Sequence, residues 1–263
     1  MQGDTSFFNS LAIQWRVIRA LLMREILTRY GRHNIGFFWL FVEPMLFCCG
    51  VVLIRKLFIH ESARGLPVVE FVMTGYSSIL LWRNCGSRCG LAISTNTSLL
   101  YHHNVRVIDL VASRIILEIA GCAIAFLVMT VLFVAIGLIS PPEDLWLVMI
   151  GYILSAWIAA SLGILIVGLS ESSELFERLW HPAMYFMLPI SGFGFMVDWL
   201  PVKIQKLALL VPMVNALEIM RQGFFGSKVR CHYELHGLIG FCLVATLVGL
   251  LLLNFFARRV EPE

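Results

Sequence analysis

The chain has 263 residues, of which 59% are hydrophobic and only 14% charged, and its mean hydropathy is +0.83. That balance excludes an ordinary soluble domain, and a net charge of +3 is too small to suggest a nucleic-acid partner. The length suits one membrane domain with no second soluble one.

The start, MQGDTSFFNS, is polar and has no basic stretch leading into an apolar core. No cleavable signal peptide is therefore expected, and insertion would rely on the first spanning helix. Next, Leu11, Trp15, Ile18, Leu22 and Ile26 recur at helical spacing, with Arg16, Arg19 and Arg24 off that stripe. The pattern predicts an interfacial amphipathic helix within residues 1–34, with Trp15 at headgroup depth and the arginines toward phosphates. A plain basic flank that fixes topology is the alternative.

Six apolar spans follow, at 35–54, 68–93, 111–139, 145–169, 180–197 and 235–257, which predicts an all-α integral membrane protein. The fourth, LWLVMIGYILSAWIAASLGILIVGL, contains no Asp, Glu, Lys or Arg. At about 1.5 Å per residue it exceeds the roughly 20 residues needed to cross a bilayer, and it lacks the polar face of a soluble helix. The second and third are longer than the hydrocarbon layer and must tilt or project from it.

An even number of spans puts both termini on one side. Arg16, Arg19, Arg24, Arg29, Arg32, Arg83, Arg88, Arg106, Arg114, Arg178, Arg258 and Arg259 fall on that side. Outside the long 198–234 segment, the other side holds only Arg55, Lys56 and Arg64. Cytoplasmic termini are expected, with 258–263 as a cytoplasmic tail.

Between spans two and three, residues 94–110 form a polar cytoplasmic segment whose Ser/Thr/Asn cluster can cap a short helix near Leu99. Between spans five and six, Pro201 and Pro212 cut residues 198–234 into two short amphipathic pieces, suited to re-entrant or outer interfacial helices. No inverted repeat relates the two halves, which argues against a secondary transporter.

Catalytic signatures are missing. There is no G-x-x-x-x-G-K-[ST] to cradle ATP phosphates and no H-E-x-x-H, and Ser191 has Pro189 where a nucleophile elbow needs glycine. The chain is expected not to be an enzyme and to carry no cofactor. His232 and His236 have the spacing of a metal pair but straddle the start of span six, where interfacial histidines are common; no metal is expected. The seven cysteines, six of them in apolar stretches, read as small apolar residues.

Charges inside the spans carry more information. Glu43 lies in span one beside Pro44, and Arg83 and Arg88 lie in span two among CGSRCG. Such charges cost several kcal/mol unless they meet a partner or a wet cavity. Two readings stay open for each: lining a polar path, or a structural role, as a Glu43–Arg83 ion pair or with Arg88 snorkelling to the surface. Gly86 and Gly90, and Ser155, Ala159 and Gly163, have small-x-x-x-small spacing suited to helix packing. Trp39, Trp82, Trp146, Trp157, Trp180 and Trp199 lie near span ends; most fit an interfacial belt, and those facing a cavity can stack on sugar rings.

Three segments carry a family resemblance. RYGRHNIGFFWLFVEPMLF, with its Gly36, Trp39, Glu43 and Pro44 core, resembles the junction before the first span in permease subunits of type 2 ATP-binding-cassette exporters, most closely the capsular-polysaccharide export branch. NTSLLYHHNVRVIDLVASR is similar to that family's coupling segment, and LPISGFGFMVDWLP with VPMVNALEIMRQGFF resembles its fifth span and two outer helices. The chain departs from the family at Arg106–Leu110, where a proline is common, and at Val211-Pro212, where Asn-Pro is common.

The resemblance implies a homodimer working with two ATPase subunits that hold ATP and Mg. The implied cargo is a lipid-linked capsular polysaccharide moved from cytoplasm to periplasm across the inner membrane. It also admits a periplasmic adaptor and an outer-membrane export protein. It implies Arg83, Arg88, Glu43, Trp82 and Trp39 as substrate-path candidates, and Leu99, Leu100, His102, His103, Arg106 and Asp109 as ATPase contacts. Trp199, Pro201, Pro212, Glu218 and Arg221 fall in the outer segment. The alternatives are an O-antigen, teichoic-acid or drug exporter of the same class, an ATP-independent channel or secondary transporter with Glu43 as proton carrier, and an intramembrane transferase.

Overall fold

The computed structural model describes residues 7–31, 35–58, 65–100 and 105–260. Those residues are almost wholly helical and include no β-strand. The helices are α1 (Phe7–Tyr30), α2 (Ile35–Phe58), α3 (Val68–Gly90), α4 (Thr97–Leu100), α5 (Val107–Ala135), α6 (Leu145–Ser172), α7 (Glu174–Ile190), α8 (Val202–Leu209), α9 (Pro212–Phe225) and α10 (Leu235–Val260). Among the described residues, Val107–Ala135, Leu145–Ser172 and Leu235–Phe256 are long and apolar enough to cross a membrane, and Val42–Val51 is a shorter apolar stretch.

Local chemistry sets the helix ends. The Asp144 side chain accepts the N–H groups of Trp146 and Leu147 at 2.8 and 3.2 Å, satisfying two donors that open α6. Pro212 occupies the first turn of α9, where a missing N–H costs nothing. The fifth apolar run, drawn to residue 197 from composition, stops at Ile190 because Gly192 adopts φ +84° and turns the chain back. Similarly, α5 closes at Ala135, before Gly137 at φ +70°. At its far end, α10 runs on through residues 258–260, which the sequence assigns to a tail.

The architecture is a bundle around α3, buried along most of its length. Glu70, Arg83 and Arg88 keep α3 from reading as a plain apolar span; it tolerates them because protein surrounds it. On its flank, α6 packs against α3, α9 and α10 at close approach. A β-carbon on Gly151 would overlap the backbone of Met220, one on Gly223 that of Val148, and one on Gly249 that of Leu165. Small residues let backbones meet where dispersion, not the hydrophobic effect, holds helices together. The glycines flagged from spacing serve that purpose: Gly86 meets Trp180 and Ile166, and Gly163 meets Cys89.

Two ends of the bundle can be distinguished. At the linker end, Leu21 of α1, Leu100, Val107 and Leu110 share a small apolar cluster with Leu253 of α10. At the loop end, the Glu70 side chain accepts the Ser140 N–H at 2.9 Å, joining α3 to the α5–α6 turn.

Gly151→Ala forces α6 and α9 apart and is expected to cost about 1–3 kcal/mol. Gly240→Ala, with nothing within 4 Å, should leave stability unchanged or slightly raised. Melting of the two variants in detergent checks the contrast.

Candidate functional site

At the linker end, α1 lies against α5 through a face that is more polar than its apolar stripe suggested. Leu21 is buried, and Gln14, Val17, Glu25 and Arg29 are half-buried beside it at helical spacing. Of the stripe expected to meet lipid, Leu11 and Trp15 are exposed, whereas Ile18, Leu22 and Ile26 are half-buried. Arg16 and Arg19 are exposed, while Arg24 donates to the Asn96 side chain at 3.0 Å.

The centre of this contact is Glu118 of α5, 3% exposed. Its Oε1 receives Arg29 of α1 at 2.6 Å and lies 3.4 Å from the Nε of Arg88 on α3. Beside it, Arg114 pairs with Glu25 at 3.2 Å and donates to the Arg88 carbonyl at 2.6 Å and the Thr95 hydroxyl at 2.7 Å. Gln14 donates to Asp109 at 3.0 Å. Thus α1, α3, α5 and the 91–100 linker are stitched together by charge-assisted bonds, about twice as strong as neutral ones.

The coupling candidates fall around this cluster. Asp109 is buried and caps its own helix by accepting the Arg106 N–H at 3.2 Å, so its carboxylate is engaged inside the protein. Arg106 is exposed, Leu99 is half-buried and Leu100 is buried in the apolar cluster. His102 and His103 lie outside the described residues.

The path candidates separate into three groups. Arg88 reaches Glu118 with 42% of its side chain still exposed, a partner that neither of its two readings named. Trp82 is 2% exposed and belongs to the main apolar core, behind any surface a solute could touch. Glu43 and Trp39 are exposed on α2, and Arg83 is half-buried on α3. No ion pair joins Glu43 to Arg83 among the described residues. Phe47 of α2 stacks on the Tyr76 ring at 3.9 Å, and Phe193 after α7 lies 6.3 Å from Phe47. A polar and aromatic strip therefore runs where α2, α3 and the end of α7 meet.

At the loop end, three polar side chains of α9 hold the surrounding loops. Arg221, fully buried, donates to the carbonyls of Gly192, Phe193 and Phe195 at 2.9, 2.9 and 2.7 Å, and its guanidinium sits 4.0 Å over the Phe71 ring. Glu218 accepts the N–H groups of Val197 and His232 at 3.1 and 3.3 Å. Asn215 donates to the Leu209 carbonyl at 2.7 Å and accepts the Glu234 N–H at 2.7 Å. Trp199 stacks on Phe71 at 5.3 Å, Pro201 precedes α8 and Pro212 opens α9.

Burial pushes the Glu218 carboxyl above its usual range and lowers the Arg221 guanidinium to about 10, which leaves Arg221 charged at neutral pH. His232 faces Asp198 at 3.3 Å, and among the described residues no group of three or more His, Cys, Asp or Glu side chains could hold a metal.

Spacing did not flag Glu118, Arg29, Arg114, Glu25, Asn96 or Asn215. Glu118 was within reach of the rule that singled out Glu43, being the one acidic residue within 111–139. The others became visible only as its neighbours, or as partners of loop backbone.

The ABC-2 type transporter family model matches residues 16–225. The chain is 46% identical over 260 residues to the capsule polysaccharide export inner-membrane protein CtrC of Neisseria meningitidis serogroup B, covering 98% of each. It is 43% identical over 262 residues to BexB of Haemophilus influenzae, which carries the same description, covering 99% of each. Similarity extends at 26% identity over 247 residues to the polysialic acid transport protein KpsM of Escherichia coli, covering 91% of this chain and 93% of that protein.

Because Glu218 has a raised folded-state pKa, its stabilising contribution is complete below the ordinary glutamate value and fades as pH rises through the raised one. Melting followed between about pH 4 and pH 8 should therefore fall with rising pH more in the wild type than in Glu218→Gln. Arg221→Met, which strands three carbonyls at about 1–3 kcal/mol each, should lose most folded protein.

Proposed function

The chain belongs to the ABC-2 type transporter family and is a membrane transport component, and we propose that it is the transmembrane subunit of an ATP-driven exporter of capsular polysaccharide. The observation that carries this reading is the match, along nearly the whole chain, to inner-membrane proteins named for capsule polysaccharide export. In this reading a lipid-linked polymer moves from cytoplasm to periplasm. Helices α2, α3, α5, α6, α7 and α10 are the six spans, and both termini are cytoplasmic. Hydrolysis of ATP with Mg belongs to a partner ATPase, since the chain has no phosphate-binding loop.

The geometry supports a homodimer. Glu43 is exposed in the middle of an apolar helix, and Trp39, Leu46 and Leu53 repeat on the exposed surface of the same helix. A carboxylate cannot face hydrocarbon there without a cost of several kcal/mol, so this side of α2 meets water or a second subunit rather than lipid. Two copies joined across α2 and the exposed Phe186 and Ile190 of α7 would enclose the strip bearing Arg83, Tyr76 and Phe47. Arg83 suits an acidic polymer there, and the aromatic faces suit the C–H faces of sugar rings. The 94–110 coupling segment, with Arg106 exposed, is the ATPase-facing surface, and the outer segment 198–234, with the largely exposed α8 at its surface, faces any periplasmic adaptor and outer-membrane export protein.

The purified subunit alone should show no ATP hydrolysis, and co-expression with its cognate ATPase should yield a complex of two permeases and two ATPases by native mass measurement. Hydrolysis by the isolated subunit overturns the reading, as does polymer export from vesicles without ATP. Within the complex, Arg83→Leu should abolish export of an acidic polymer with little loss of folded protein, and Arg83→Lys should retain part of it. A thiol at position 83 in a cysteine-free background that never reacts with a water-soluble reagent during turnover would remove Arg83 from the path.

A further inference from the structure

Glu118 stands apart from the strip that would line the path. It makes no ion pair with Arg83 among the described residues, and at 3% exposure it is, with Asp109, one of two deeply buried carboxylates at the linker end. One of its oxygens is shared by guanidinium groups from two different helices, Arg29 of α1 and Arg88 of α3.

The connections on its two sides differ. Helix α1 is held to α5 three times over, by Gln14 on Asp109, Glu25 with Arg114, and Arg29 with Glu118. It also grips the linker through Arg24 on Asn96. These contacts run from the fourteenth to the twenty-ninth residue, so α1 is tied to α5, and to Asn96 of the linker, along most of its length. The polar links from helix α3 to α5 at this end centre on Arg88, its side chain on Glu118 at 3.4 Å and its carbonyl accepting from Arg114 at 2.6 Å. Beside it, Cys89 is buried in the same apolar cluster as Leu21, Val111 and Ile115. It is also α3 that carries Tyr76 and Arg83 toward the strip.

We infer that Glu118 is a positioning residue for transport: the Arg29–Glu118–Arg88 joint carries displacement of the linker and α1 into α3, and so into the strip that meets the polymer. This rests on the reading of the chain as an ATP-driven exporter. The geometry favours a joint over a passive staple in two respects. The Arg29 half is short and mostly enclosed, fixing α1 to α5, whereas the Arg88 half is longer and 42% exposed, a link able to lengthen and re-form as α3 shifts. Packed interfaces pass motion through such discrete polar contacts because their apolar neighbours deform little.

The test uses the complete transporter, permease with its ATPase, in sealed vesicles, measuring assembled complex, ATP hydrolysis and polymer exported per ATP. Glu118→Gln keeps the shape of the side chain and removes its charge. Arg88→Gln removes only the α3 half of the joint and leaves Arg29 with Glu118. Both variants should assemble, with hydrolysis within about twofold of wild type and export per ATP reduced roughly tenfold. If hydrolysis and export fall together in proportion to the amount of folded complex, the joint is a staple and the inference is overturned. It is also overturned if Arg88→Gln loses export while Glu118→Gln does not, since Arg88 would then act on the polymer directly, or if both export normally. A wild-type complex that neither assembles nor exports with ATP would instead defeat the exporter reading, before any variant is compared.

Discussion

A charge carried into an apolar layer must find its counter-charge inside the protein, and much of this molecule's arrangement follows from meeting that demand at Glu118. Its carboxylate lies within α5, far enough along the helix that solvent cannot reach it. Desolvating such a group costs several kcal/mol, repaid only by close and well-aimed partners. Arg29 and Arg88 supply them from helices that are distant in sequence. The docking of α1 on α5, the tie between α3 and α5 at Arg88 and the hold on Asn96 draw on these bonds and their immediate neighbours.

The opposite end meets a different demand by different means. There the chain breaks repeatedly, at Gly137, Gly192 and the two prolines that frame α8, and each break leaves backbone groups without helical partners. Side chains of α9 take up those groups, Arg221 gathering carbonyls while Glu218 and Asn215 collect N–H groups. Because α9 is locked to α6 where Gly151 and Gly223 admit backbone contact, the loops inherit the rigidity of the bundle. One end is thus organised by paired side-chain charges and the other by side chains satisfying backbone.

Between the two ends, α3 meets both networks, through Arg88 at one and Phe71 under the Arg221 guanidinium at the other, and carries the half-buried Arg83. The match along residues 16–225 and the full-length similarity to capsule polysaccharide export proteins place this arrangement within the ABC-2 type transporter family.

The sequence by itself determined the class of molecule. Apolar runs that exceed the bilayer thickness, arginines biased to one side, and prolines and glycines between the runs leave little freedom in which segments become helices, because helix formation and hydrophobic burial are local properties of composition. It also marked Glu43, Arg83 and Arg88 as unusual, since a charge in such surroundings is visible in one dimension, whereas Glu218 and Arg221 stood out only as members of the outer segment. Tertiary structure decided what each is for. Arg88 turns to Glu118, Arg221 to three carbonyls and Trp82 into the core, while Glu43 stays exposed on α2 and Arg83 half-buried on α3. Even α1 changed character, since its docking face joins Leu21 to the polar partners that α5 and Asn96 offer, and only part of its apolar stripe lies on that face. The physical reason is common to all of them: a buried charge is stable only with its partner, and that partner lies as many as 89 residues away along the chain, where no local pattern can point to it.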